Sequence, residues 1–190
     1  QERAKSPILA TYPPRYTTLV PDTQLLATLR AHSVLISGPV GSGKTRKMLE
    51  VIYAYLLERL EGQVMYMDET TTLNKDIVKN QLVSVPLLLH KMRVDMDRIE
   101  GIDRIQNLID RPLLFLDDLG TEKPSQWVME QMYIILNERY MWGKSTMITT
   151  NLTMKEIAQI YGDRIASRLV EMCVMMTLDA KDYRFDNKPL

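Results

Sequence analysis

"GPVGSGKT", residues 38–45, sets how the rest of the chain is read. Glycine, four residues, glycine, lysine and then a hydroxyl residue is the pattern of a phosphate-binding loop. Its flanks suit it. "SVLIS" (33–37) reads as a short buried parallel strand, and "KTRKMLEVIYAYLLERLEG" carries Met48, Leu49, Ile52, Leu56 and Leu60 at helical spacing before stopping at Gly62. A strand that runs into such a loop and opens a helix turns backbone N–H groups and the positive end of a helix dipole toward one point, where phosphates would sit. Gly38, Pro39, Val40, Gly41, Ser42 and Gly43 would line that cradle. Lys44 would reach the β- and γ-phosphates of a nucleotide, and the Thr45 hydroxyl would ligate Mg²⁺.

Outward from the loop, further apolar runs repeat the strand signal. "QVMYMD" (63–68) reads as a second strand, "RPLLFLDD" (111–118) as a third, "STMITTN" (145–151) as a fourth and "CVMMTL" (173–178) as a fifth. Between the third and fourth, "SQWVMEQMYIILNERYMWG" is an amphipathic helix with Ser125 as its cap. Strands alternating with helices give an α/β fold with a five-stranded parallel sheet flanked by helices. Parallel strands bring their C-terminal ends to one ligand-binding edge, and polar residues stand there. Asp117 has the position to hold Mg²⁺ through its water shell, and Asp118 to orient an attacking water. Two acids after a strand also serve as a helix cap or a solvated turn. Asn151 likewise suits either a turn or a helper that reaches the water or the γ-phosphate.

Composition narrows the classes. The 190 residues suffice for one domain with its own core, and 24 basic residues balance 24 acidic ones, so any nucleic-acid surface must be local. Cys173 is the one cysteine and lies in an apolar run, which excludes an internal disulfide and fits a reducing, cytoplasmic setting. His32 and His90 are too isolated to suggest a metal site. No apolar run approaches the roughly 20 residues that crossing a bilayer needs, so no membrane partner is expected.

The ordered set "GPVGSGKT", "LLFLDDLG", "MITTN" and "GDRIASRLVEM" (162–172), with "LNERY" (136–140) and "DYR" (182–184), resembles the AAA+ ATPases. Within them it is most similar to the bacterial replicative helicase loaders of the DnaC/DnaI type. The resemblance runs from about Pro13 to Arg184 and implies a P-loop AAA+ core over 13–190 that binds and hydrolyses ATP with Mg²⁺. It implies self-association in which Arg164 of one subunit stabilises charge on the γ-phosphate held by its neighbour. A guanidinium suits that task because the transition state spreads negative charge over several oxygens. Arg168, one turn on, would support it, act on the nucleotide as a second finger, or pair with an acid such as Glu171. The loader family also implies that no C-terminal lid follows. Residues 1–12 read as the end of a linker to an N-terminal portion that grips the replicative helicase. Most AAA+ proteins place glutamate where Asp118 stands, so water positioning is expected to be looser and turnover slow.

Between the second and third strands, residues 69–110 have room for at least two helices. Lys75, Lys79, His90, Lys91 and Arg93 make part of this stretch basic, with Asp95, Asp97 and Glu100 close by. In initiators and loaders the resemblance implies a helical element here that contacts single-stranded DNA, for which Lys75, Lys79, Lys91 and Arg93 are the candidates. A solvated pair of helices with mixed charge is the structural alternative. Three other functions fit the motifs: an IstB-type transposition helper acting on duplex DNA, a small-molecule kinase in which Arg164 and Arg168 close over the phosphates, and a nucleotide-gated binding module.

Overall fold

Four of the five apolar runs form strands of one sheet in a computed structural model that describes residues 20–61, 81–94, 99–121 and 124–179. In chain order the elements are α1 (Thr23–Ala31), β1 (Ser33–Ser37), α2 (Lys44–Glu61), β2 (Leu82–Ser84), α3 (Val85–Val94), α4 (Ile99–Asp110), β3 (Leu113–Leu119), α5 (Gln126–Met141), β4 (Ser145–Thr150), α6 (Met154–Tyr161), α7 (Asp163–Met172) and β5 (Cys173–Thr177). The sheet order is β2-β3-β4-β1-β5, and each pairing is parallel. Helix α2 thus springs from β1, which lies between β4 and the edge strand β5.

The strand cores read as unbroken apolar runs because both faces of the sheet are covered. Val34, Ile36, Phe115 and Met147 pack on one face with Leu26, Leu29, Met48 and Ile52 from α1 and α2. Their neighbours Leu35, Leu114, Leu116 and Ile148 pack on the other with side chains of α3 to α7. The period-two alternation of a strand thus feeds two separate apolar layers. Each fully buried aliphatic side chain contributes about 1.5–3 kcal/mol.

One strand differs from the expected set. The partner of β3 is Leu82–Ser84, with Leu82 opposite Phe115 and Ser84 opposite Asp117, and it lies within the stretch read as an insertion. Three residues carry no periodicity, and Pro86 in the first turn of α3 allows the chain to pass directly from strand to helix. Residues 63–68, the linker 1–12, Lys75, Lys79 and "DYR" lie outside the described residues. The two helices expected between the second and third strands are present as α3 and α4.

Helix ends follow local chemistry. Ser125 caps α5 by accepting from the Val128 N–H, and Thr153 and Glu156 form a reciprocal capping box at the start of α6. Gly162 ends α6 by donating to the Ala158 carbonyl and leads directly into α7. On α7, Ile165, Ala166, Leu169 and Met172 face the core, which leaves Arg164 and Arg168 on its flank.

Candidate nucleotide site

The loop that links β1 to α2 wraps around its own lysine. Lys44 is buried, and its Nζ donates to the carbonyls of Gly38 at 2.9 Å and Pro39 at 2.7 Å. Two glycines are physically required here. A Cβ at Gly38 would stand 2.4 Å from the Leu178 carbonyl oxygen, and Gly43 enters α2 with a φ of +91°, a region that disfavours side chains. Pro39 and Val40 form the exposed rim, and Ser42 lies beneath it.

At the C-terminal end of β3 the strand register breaks. Leu116 pairs with Ile148 and pairing resumes with Leu119 opposite Thr150, so Asp117 and Asp118 together face the single Thr149. This bulge re-aims two adjacent carboxylates that a regular strand would point to opposite faces. Asp118 takes a φ of +68°, the one non-glycine residue with positive φ among the described residues. That conformation is costly for most side chains and tolerated best by Asp and Asn. Two contacts hold it: the Asp118 N–H donates to Thr149 Oγ1 at 3.0 Å, and Asn151 Nδ2 donates to Asp118 Oδ1 at 3.3 Å.

Asp117 turns toward the loop. Thr45 Oγ1 lies 3.1 and 3.2 Å from its two carboxylate oxygens, and Thr149 Oγ1 donates to Oδ1 at 2.6 Å. Burial pushes the Asp117 carboxyl above its ordinary range, and the negative Asp118 adds to this. The Thr149 and Thr45 hydroxyls and the Lys44 ammonium pull the other way. A divalent cation would reinforce that pull. A hydroxyl and a carboxylate side by side are hard oxygen donors that suit Mg²⁺, which takes few protein ligands and completes its shell with water and phosphate. Thr149, to which sequence reading gave no role, is therefore the hinge of the site, since its one hydroxyl touches both acids. Its only signal in the sequence is its place near the end of β4, two residues before Asn151.

Arg164 and Arg168 are carried by α7. Among the described residues no hydrogen bond or ion pair joins either to the loop or to Asp117 and Asp118. Arg164 is exposed with its guanidinium over the Tyr133 ring of α5, 4.2 Å from the centroid. Arg168 lies over Tyr140 and binds Glu171 Oε2 at 2.6 Å and Asn137 Oδ1 at 2.9 Å, the acid pairing being one of the three roles open to it in the sequence. Of the DNA candidates, Lys91 is exposed on α3 beside exposed His90, whereas Arg93 sits on α3 with its side chain outside the described residues.

The sheet order, the loop between β1 and α2 and the acids at the end of β3 define a P-loop protein of the AAA+ fold. The chain belongs to the family of IstB-like ATP binding proteins, whose model matches residues 23–190. It is 27% identical over 158 residues to a Bacillus subtilis (strain 168) protein named uncharacterized protein YqaM, covering 80% of this chain and 44% of that one. To the phage-like element PBSX protein XkdC of the same organism it is 25% identical over 159 residues, covering 81% and 52%. The chain thus spans about half the length of the curated relatives it matches. Among solved structures, the DnaC helicase loader aligns with a TM-score of 0.60 at 23% identity, covering 87% of this chain and 99% of that one. DnaI aligns at 0.57 and 20%, covering 82% and 81%. The replication initiator DnaA bound to AMPPCP and single-stranded DNA aligns at 0.61 and 15%, covering 90% and 52%. At such identities the likeness is one of fold. No helix among the described residues is long and apolar enough to cross a membrane.

Proposed function

We propose that this chain is the ATPase domain of a helicase loader: it binds and hydrolyses ATP with Mg²⁺, self-associates, and holds single-stranded DNA while a replicative helicase is placed there. In this reading Lys44 and the loop N–H groups bind the phosphates, Thr45 and Asp117 hold Mg²⁺, and Asp118 and Asn151 position the water. The observation that carries it is that Arg164 is exposed and, among the described residues, makes no hydrogen bond or ion pair to the chain's own phosphate loop, which supports a role toward a second subunit's nucleotide. The AAA+ fold shared with DnaC and DnaI supports the loader assignment, and exposed Lys91 on α3 supports a phosphate contact.

A second reading draws on the family itself, whose name is that of the IstB-type helpers that act on duplex DNA. The kinase reading needs Arg164 and Arg168 as a lid, and their seating on Tyr133 and Tyr140 speaks against it. One assay separates these functions: ATP hydrolysis followed with single-stranded or duplex DNA at several salt concentrations. A loader gives stimulation of about fivefold or more by single strands that fades with salt, because phosphate contacts release counterions. Stimulation by duplex alone identifies the transposition-helper type instead, and hydrolysis indifferent to both forms contradicts a DNA role.

A further inference from the structure

Helix α7 lays two arginines on two tyrosines of α5, and the pairs are not equivalent. Tyr133 and Tyr140 stand seven residues apart on α5, and Arg164 and Arg168 cover them with guanidinium carbons 4.2 and 4.3 Å from the ring centroids. Arg168 is further tied by Glu171 and Asn137, which offset its charge and occupy donors on both of its terminal nitrogens. Arg164 has no carboxylate partner among the described residues and is exposed.

That difference matters chemically. A guanidinium stacked on a ring offers its face to the aromatic cloud and keeps its N–H groups in the plane, pointing outward. An ion pair would hold the side chain equally well but would spend the charge and the donors that a phosphate needs. Stacking also removes rotamer freedom from a long side chain before any ligand arrives, so less entropy is lost on binding. The phenol responds to this company: hydrogen bonding from Arg164 first, and from Arg168 after it, draws the Tyr133 hydroxyl below the usual tyrosine range.

We infer that Tyr133 is the positioning residue of Arg164, holding the guanidinium over its ring and against its hydroxyl, charged and with its remaining donors available for the nucleotide of a second copy of this chain. The inference rests on the trans-acting Arg164 reading given above. Asn137 and Glu171 make the neighbouring pair a fixed brace, whereas the Tyr133 pair is the one kept available.

The test uses mixed subunits. A receiver carrying Arg164→Ala keeps its own nucleotide site but lacks the arginine, and a donor carrying Lys44→Ala offers the arginine without a working site. The unaltered donor restores hydrolysis. A donor that also carries Tyr133→Leu restores about fivefold less, the loss expected for a stacking contribution near 1 kcal/mol, whereas Tyr133→Phe restores as the unaltered donor does. The leucine substitution lowers the rescue several-fold more from the donor's side than from the receiver's, an asymmetry that a general loss of folding would not produce. Full rescue by the Tyr133→Leu donor overturns the role of Tyr133 and leaves trans action standing. No rescue by any donor overturns trans action, and the Tyr133 assignment falls with it. A ligand-free readout stands beside this: in the unmodified protein the Arg164 Nε–H resonance, assigned by its loss in Arg164→Lys, carries an upfield ring-current shift. A shift at the random-coil value would overturn the stack without any folding ambiguity.

Discussion

Lys44→Ala lowers the affinity for ATP by about 100-fold, and hydrolysis falls with it. The ammonium is buried against the Gly38 and Pro39 carbonyls, and an incoming phosphate exchanges those neutral acceptors for charged oxygens. A hydrogen bond to a charged partner is worth about 1.5–3 kcal/mol, and in the proposed function Lys44 serves two phosphates. The loop's backbone N–H groups are not removed by the substitution, and residual weak binding comes from them. Titration with a fluorescent ATP analogue measures the change, with thermal melting to establish that the variant is folded. An affinity within threefold of the unmodified chain would mean that nucleotide is not read by this loop.

Arg139→Ala acts on the fold rather than the site and costs about 3–5 kcal/mol. Arg139 belongs to the "LNERY" stretch, and its side chain is completely buried. The guanidinium donates to the carbonyls of Leu108, Ile109, Arg111 and Ser145 and to Thr146 Oγ1, at distances from 2.6 to 3.0 Å. Leu108 and Ile109 are in the last turn of α4, so a cation there also meets the negative end of a helix dipole. One side chain thus ties α4, α5 and the start of β4 together. Burial, with the neighbouring Arg111 charge second, pushes its pKa down to about 10, which still leaves it charged at neutral pH. Alanine would leave this set of acceptors buried without a partner and open a cavity among them. For a domain of this size the expected fall in Tm is roughly 6–20 °C, and urea titration gives the free energy directly. A loss under 1 kcal/mol would show that water replaces the guanidinium at no cost.

Most of the frame was legible because it is written locally. The phosphate loop is one contiguous motif, the strands at 33, 113, 145 and 173 are short apolar runs, and Ser125 announces the start of α5 one residue ahead. The edge strand Leu82–Ser84 was not legible, since three residues beside a proline-bearing helix carry no period. The site's finer geometry was hidden for a different reason. The bulge that sets Asp118 at positive φ is a property of two strands, not of "LDDLG" alone. Thr149 meets Asp117 across 32 residues of chain, and Arg139 meets its α4 carbonyls across 30 and 31. Arg164 drew attention through its motif, yet the tyrosine beneath it lies on another helix and nothing in the sequence marks it. Motifs name the chemistry, while long-range packing decides which neighbour holds each group in place.

The division of labour between the two acids is tested most directly by Asp118→Asn, with ATP affinity and hydrolysis measured on the same preparation. Asparagine tolerates the positive φ at 118 and keeps an oxygen for Asn151, so the bulge and the Thr45-facing Asp117 stay as they are. It lacks the negative charge that polarises a water. If Asp118 performs that step, ATP binds within about twofold of the unmodified chain while hydrolysis drops by roughly 100-fold or more. Hydrolysis at the unmodified rate would contradict the assignment and move water activation to another residue.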